Sequence, residues 1–447
     1  MSIDTHLRRH DPRTPARRGS DPVQWVIGGS VVAGAGLAVV LVLVVFPGAR
    51  ESVITGSALT AFGLGWGMLA ILTARMTSHP QSWAAVPAVA MTLSGAGLLV
   101  LTPEDATLTW LNVVWPPAML ALVVWMWVRV RRSVPGRGRW LLMPVLLALT
   151  AASVGALTQD VDLFRDRDAH PAPGRTFSVG DHRLHLDCRG QGGPTVVLFN
   201  GLGEISASWA RVSGAVGATA RVCAYDRAGQ AWSDDVDSPQ DGVEAARDLH
   251  ALLAAAGEPG PFVLVGHSIG GPYAMTYAAH YPDEVAGMVD SSSPRQFEDL
   301  PDYPRQYAVM RRGLALLPTL ARLGLGGPIL SGSQLPAPAA KQVDAMISTV
   351  RAARNGRDEV VMLPKVFADA QALTTLGNLP LVVLTTTESL DETRGWAAAQ
   401  DSLAALSTSS VHRTVESTHS GLVDDEAGAV ASVRAVTELV EAVRAAG

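Results

Sequence analysis

The sequence predicts an α/β domain preceded by an all-α, membrane-spanning region, and three observations predict it. Five apolar stretches, each of about 20 residues, the length a helix needs to cross a bilayer, crowd the first third of the chain. From Thr176 onward, short β-branched runs alternate with helical segments. Within that alternation the apolar run Phe262–Gly266 leads into Gly266-His267-Ser268-Ile269-Gly270 and then into a helix.

The apolar stretches are Trp25–Phe46, Ser52–Ala74, Trp83–Thr102, Leu108–Val128 and Trp140–Thr158, and none contains Asp, Glu, Lys or Arg. Trp25, Trp83, Trp110, Trp125, Trp127 and Trp140 lie near their ends, where an indole favours the membrane–water interface. Gly63, Gly65 and Gly67 admit close packing in the second span, and Pro116-Pro117 would kink the fourth. The loops between spans differ in charge. Arg8, Arg9, Arg13, Arg17 and Arg18 precede the first span, Arg75 follows the second, and Arg129, Arg131, Arg132, Arg137 and Arg139 separate the fourth from the fifth. The opposite side has only Arg50, a ratio of eleven to one. The positive-inside rule makes the N-terminus cytoplasmic, and five spans then carry everything after Thr158 out of the cytoplasm. The expected layout is a cytoplasmic tail over residues 1–24, the multi-pass region over 25–158, a linker over 159–175 and the α/β domain over 176–447. No ionisable residue lies within a span, so the region reads as an anchor rather than a transport path.

Composition excludes several classes. The chain is 48% hydrophobic and only 17% charged, with a net charge of −6. No basic stripe follows the spans, which argues against a nucleic-acid partner. No Cys/His group has metal-ligand spacing, and no cofactor is expected.

Strands are expected at Arg183–Asp187, Thr195–Asn200, Arg221–Tyr225, Phe262–Gly266, Glu284–Asp290, Leu381–Thr385 and Val411–Val415. Helices are expected at Ser208–Val216, Gly242–Ala256, Pro272–His280 and Ala427–Ala445. A serine on a sharp strand-to-helix turn has its hydroxyl exposed, and small flanking residues avoid clashes there. The helix that follows offers free N–H groups at its positive end, suited to a developing oxyanion. Ser268 is therefore a candidate nucleophile.

Further motifs follow in order. Asn200-Gly201-Leu202-Gly203 follows one strand, Tyr225-Asp226-Arg227-Ala228-Gly229 with Trp232-Ser233-Asp234 follows the next, and His419 lies just past the last strand in Ser417-Thr418-His419-Ser420-Gly421. Together with the turn at Ser268, these make residues 176–447 resemble the α/β-hydrolase superfamily. The resemblance implies an α/β-hydrolase sheet with a helical cap inserted at about residues 291–376. It implies His419 as general base, and Leu202 and Ile269 as the backbone donors of an oxyanion hole. The pair Asn200-Gly201 departs from the usual His-Gly. Asp226 and Arg227 are expected to brace the loops, and His267 to point away from the serine. Two positions compete for the acid. Asp290 ends the strand after the turn helix, and some relatives place the acid there. The more usual site follows Leu381–Thr385, where the family's Gly-x-x-Asp is replaced and Glu388 and Asp391 stand instead; Asp290 is preferred and Asp391 is the alternative. Tyr303, Tyr307, Met310, Leu314, Leu317 and Met346 either line an apolar pocket or pack the cap. The family's strand order makes the strands of Cys188 and Cys223 neighbours, which suggests a disulfide on the oxidising side of the membrane.

The resulting expectation is a membrane-anchored serine hydrolase that cleaves an ester or amide of a small-molecule or lipid-like acyl substrate. The competing expectation is a catalytically impaired ectodomain that binds a lipid or peptide and signals through the spans. A transporter with an accessory domain is a third reading, disfavoured by the uncharged spans.

Overall fold

The computed structural model describes residues 22–134, 136, 138–166, 171–236, 238–327 and 334–446, with the side chains of 159–166 excepted. Arg8, Arg9, Arg13, Arg17, Arg18 and Arg137, which carry part of the orientation argument, lie outside the described residues.

Each apolar stretch forms a helix: α1 (Val23–Val40, prolonged by a π-helical turn at Leu41–Val45), α2 (Glu51–Met76), α3 (Ala85–Leu101), α4 (Asp105–Ser133) and α5 (Gly138–Asp166). All five are long and apolar enough to cross a membrane. Large apolar side chains face outward, with Trp25 and Trp110 77% and Val100 80% exposed, a surface unsuited to water. The expected glycine packing is present in α2. A Cβ on Gly65 would come within 3.0 Å of the Cα of Gly34 on α1, so these two backbones touch only because neither residue has a side chain. Helix α4 continues without a break through Pro116 and Pro117, the site of the expected kink. Helix α5 continues to Asp166, so the expected linker is helical over its first half.

The α/β domain is built on eight strands: β1 (Arg175–Val179), β2 (His182–Arg189), β3 (Val196–Phe199), β4 (Val222–Asp226), β5 (Phe262–Gly266), β6 (Val285–Asp290), β7 (Leu381–Thr386) and β8 (Ser410–Val415). Their order is β1-β2-β4-β3-β5-β6-β7-β8. The pairs β1–β2 and β2–β4 are antiparallel and the rest are parallel. Strand β1 was not anticipated, because Arg175-Thr176-Phe177-Ser178-Val179 is a short, largely exposed edge without a clear alternation. The central strands β3, β4, β5 and β6 are buried throughout, as parallel strands covered on both faces must be.

One face packs on α7 (Gly242–Ala256) and α8 (Gly270–His280), the other on α6 (Ala210–Val216) and on the long C-terminal helix. Between β6 and β7 come α9 (Gln296–Asp299), α10 (Tyr303–Leu314), α11 (Leu317–Arg322), α12 (Ala337–Ile347) and α13 (Val350–Ala370). This is the expected helical insertion. The chain ends with α14 (Thr387–Glu392), α15 (Trp396–Ala404), α16 (Gly421–Asp424) and α17 (Glu426–Ala446). Aromatic side chains pack within the insertion: Tyr303 and Tyr307 meet Phe297 edge-on at 4.9 and 5.2 Å.

Candidate active site

Ser268 occupies the position where the strand order reverses, just past the C-terminal end of β5, which is where open α/β sheets form their sites. Its φ is +54°, a left-handed conformation that costs a non-glycine residue on the order of 1–2 kcal/mol. The flanking glycines make the turn possible. A Cβ on Gly266 would come within 2.5 Å of the Cα of Gly271, and one on Gly270 would strike the carbonyl of Phe199. The Ser268 N–H donates to Ser291 Oγ at 3.3 Å. Among the described residues the Ser268 hydroxyl and the N–H groups of Leu202 and Ile269 have no hydrogen-bond partner.

The loop after β3 is braced through its own side chains. Asn200 donates through Nδ2 to the carbonyl of Tyr225 (2.8 Å) and accepts from the indole of Trp209 (2.9 Å). The asparagine holds the loop at the position where a histidine is usual. Arg227 donates to the carbonyls of Asn200 (2.7 Å) and Gly201 (3.4 Å). It also lies 4.3 Å over the ring of Tyr273 and pairs with Glu359 of α13 at 2.6 Å. Asp226 takes the N–H of Ser206 (2.7 Å) and faces His185 Nδ1 at 2.8 Å. Both residues brace loops, as the sequence indicated. Glu359, which ties the insertion to the Asn200-Gly201 loop, gave no local signal in its helix.

His419 stands beside the elbow residue His267, with ring centroids 4.8 Å apart. Among the described residues His267 makes no side-chain bond to Ser268, and its ring is engaged elsewhere. His267 Nε2 lies 2.8 Å from the carbonyl oxygen of His419, which can only accept, so Nε2 donates. His267 Nδ1 lies 2.6 Å from Glu204 Oε1, as an ion pair rather than a well-aligned hydrogen bond. A carbonyl on one nitrogen and a carboxylate against the other favour the doubly protonated form of His267. The second oxygen of Glu204 takes the N–H of Gly201 at 2.5 Å. One carboxylate thus joins the loop of Leu202, the elbow and the loop of His419.

The three candidate acids are placed differently. Asp290 pairs in register with Gly266 on β5 and with Val383 on β7, three residues below the end of β7. At that height its carboxylate is buried against Gly271, takes the N–H of Ser292 at 2.9 Å and does not join His419. Asp391 is exposed on α14 and makes no bond to His419, because the chain turns helical directly after β7 and carries it outward. Glu388 does reach this residue, but at the backbone: its Oε2 takes the N–H of His419 at 2.6 Å. Among the described residues no carboxylate bonds the His419 ring.

The comparisons agree with this architecture. A family model described as "alpha/beta hydrolase fold" matches residues 194–313. The epoxide hydrolase Cif from Acinetobacter nosocomialis superposes with a TM-score of 0.51 at 13% identity, over 64% of this chain and 96% of that one. The α/β domain has the α/β-hydrolase fold. By sequence the chain is similar to an uncharacterised protein of Schizosaccharomyces pombe, 31% identical over 32% of each chain. It is also similar to epoxide hydrolase B of Mycobacterium tuberculosis, 36% identical over 25% of this chain and 35% of that one. The matched stretches span about a third of the length of these relatives.

Within this α/β-hydrolase domain the charges are unevenly tuned. Burial opposes the His267 cation, yet Glu204 holds it above the ordinary imidazole value. Burial alone would raise Glu204, but His267 and the Gly201 N–H keep it below the usual carboxylate value. His419 is pushed down to about 3 by burial and by the neighbouring His267 cation. Burial pushes the Asp290 carboxyl well above its ordinary value. The sequence reading missed Glu204. A lone carboxylate four residues after Asn200, in an otherwise uncharged loop facing the elbow, was the available signal. Cys188 and Cys223 sit opposite one another on β2 and β4 and are bonded, with Cα atoms 4.0 Å apart.

Proposed function

We propose that this chain is a membrane-anchored serine hydrolase that cleaves a carboxylic ester or amide through an acyl-enzyme. The observation that carries the proposal is Ser268, held at positive φ on the elbow with the unengaged N–H groups of Leu202 and Ile269 nearby. Ser268 Oγ attacks the carbonyl carbon and its proton passes to His419. The oxyanion rests on the N–H groups of Leu202 and Ile269. Collapse breaks the bond to the leaving alcohol or amine, which takes the proton from His419, and water then releases the acyl group by the same steps. Glu388 is the carboxylate we assign to holding the His419 loop. At about 3 His419 is neutral, the form that can accept the serine proton, but a weak base for doing so, so substrate binding must raise its basicity. The substrate is a small-molecule or lipid-like acyl compound, and no cofactor or metal takes part.

The spans supply the anchor. The alternation of the helices puts Arg75, Arg129, Arg131 and Arg132 at one end of the bundle. Glu51 and Asp105 lie at the other end, where they pair with the hydrolase domain's Arg322 and Arg354. This supports a cytoplasmic N-terminus and an extracytoplasmic hydrolase domain.

The second reading, a hydrolase-like ectodomain that binds a ligand without turning it over, is favoured by the unbonded His419 ring. Fluorophosphonate labelling and a p-nitrophenyl ester panel on the full chain separate the two. Labelling lost in Ser268→Ala together with ester turnover in the wild type supports the enzyme. Labelling that persists in Ser268→Ala removes Ser268 as nucleophile, and a wild type that neither labels nor turns over leaves the binder.

A further inference from the structure

The insertion contains a stretch more apolar than a water-facing cap needs: Leu314-Ala315-Leu316-Leu317-Pro318-Thr319-Leu320-Ala321-Arg322-Leu323-Gly324-Leu325, with Arg322 its single charge. We propose that this segment is seated in the bilayer, at the headgroup–acyl boundary on the hydrolase side. The inference rests on reading α1–α5 as membrane spans and goes beyond it, since it adds a second membrane-contacting element from the catalytic half of the chain.

The contacts locate it. Ala315 is buried with Val42 and Ile54, and Leu316 packs on the same cluster. Thr319 and Thr55 share a hydroxyl–hydroxyl hydrogen bond of 2.9 Å. The backbone of Leu323 and Gly324 lies directly against Gly155 of α5, an approach that only glycine permits there. From α10, Arg312 donates to the carbonyl of Leu43 at 3.0 Å. These partners are not at the tips of the spans. Leu43 precedes the end of the first span at Val45, Thr55 follows the start of the second at Glu51, and Gly155 precedes the end of the fifth at Thr158. At 1.5 Å of rise per residue, the contacts fall roughly 3–6 Å inside the span ends. A segment docked at that depth meets lipid on its free side.

Its chemistry fits that depth. The single charge, Arg322, is bidentate to Glu51 at 2.6 and 2.9 Å, and Glu51 is only 2% exposed. The two charges neutralise each other where an unpaired one would be costly. Leu317, Leu320 and Leu323 are half-buried and Leu325 is 44% exposed, a row of leucines unsuited to water but suited to the acyl boundary. Non-ideal backbone at Leu323-Gly324 is tolerated because α5 covers it. The seat also has a mechanical line to the site: α11 packs on α13, and α13 carries Glu359, which holds Arg227 against the Asn200-Gly201 loop.

The test is site-directed spin labelling of the full chain in phosphatidylcholine liposomes, with the native cysteines left in their disulfide. Labels on Leu325→Cys, on mid-span Leu93→Cys and on the remote surface position Val430→Cys are compared for collision with oxygen and with a water-soluble nickel chelate. All three side chains are exposed, so labelling leaves the fold intact. The expected result is an oxygen-to-nickel ratio at Leu325 several-fold above that at Val430 and closer to Leu93. A ratio at Leu325 equal to that at Val430, while Leu93 reads hydrocarbon, overturns the seat alone. A watery reading at Leu93 overturns the membrane reading on which it rests.

Discussion

Replacing Glu204 by Gln tests the electrostatics of the site most directly. Gln keeps an oxygen to take the Gly201 N–H, so the brace on the Leu202 loop survives while the charge is lost. Without its counter-ion the buried His267 releases a proton and keeps the one on Nε2 that the His419 carbonyl requires. In the wild type the His267 cation stands 4.8 Å from the His419 ring. At an effective dielectric of about 20, two unit charges at that spacing repel by ~3.5 kcal/mol, or ~2.5 pKa units. Loss of the Glu204 carboxylate, whose effect on His419 is the smaller of the two, cancels part of this gain, leaving a net rise of about one unit above a starting value near 3. The acid limb of kcat/KM for p-nitrophenyl butyrate should therefore move up by about one pH unit in Glu204→Gln. A limb that stays in place while kcat drops would refute the charge argument and reduce Glu204 to a loop brace.

Four further outcomes are expected. Asp290→Asn should keep its unfolding free energy within about 1 kcal/mol, because the buried carboxyl is already pushed toward its neutral form, and should keep most activity; Glu388→Ala, which removes the acceptor of the His419 N–H, should lose ~10²-fold in kcat. A loss of about 10⁴-fold in Asp290→Asn would instead restore it as the relay acid. His419 takes up its proton near 6.5 when unfolded but only at about 3 when folded, so as pH falls the unfolded chain gains the proton first. Its contribution is complete above pH 6.5 and is lost down to about 3, at up to ~1.4 kcal/mol per unit; a His419→Gln variant should show a flatter acid limb in thermal unfolding. Replacing both Cys188 and Cys223 by Ser opens a link with a sequence separation of 35, and denaturant titration should show a loss of about 3–4 kcal/mol.

Much of this protein is determined locally and was legible. The five apolar helices are set by uninterrupted apolar runs, with the length and composition a helix needs to cross a membrane. The elbow is equally local. Gly266, Ser268 and Gly270 stand where only a tight strand–helix turn tolerates them, and β5 ends at the residue the pattern indicated. Cys188 and Cys223 were paired through the strand order of the family that the motifs resemble.

What the tertiary structure decided are heights, distances and partners between segments remote in sequence. Asp290 was a reasonable acid in one dimension, but β6 ends level with Gly266, so the carboxylate lies too low to meet His419. Glu204 and His267 became a pair because two loops from β3 and β5 converge. The apolar insertion acquired its reason only when Arg322 met Glu51, 271 residues away. Periodicity reports which face of an element is apolar, but the register of strands and the docking of helices depend on the whole packed core. That is why the serine was readable from a handful of residues, while the charges that tune it and the helices that seat its cap were not.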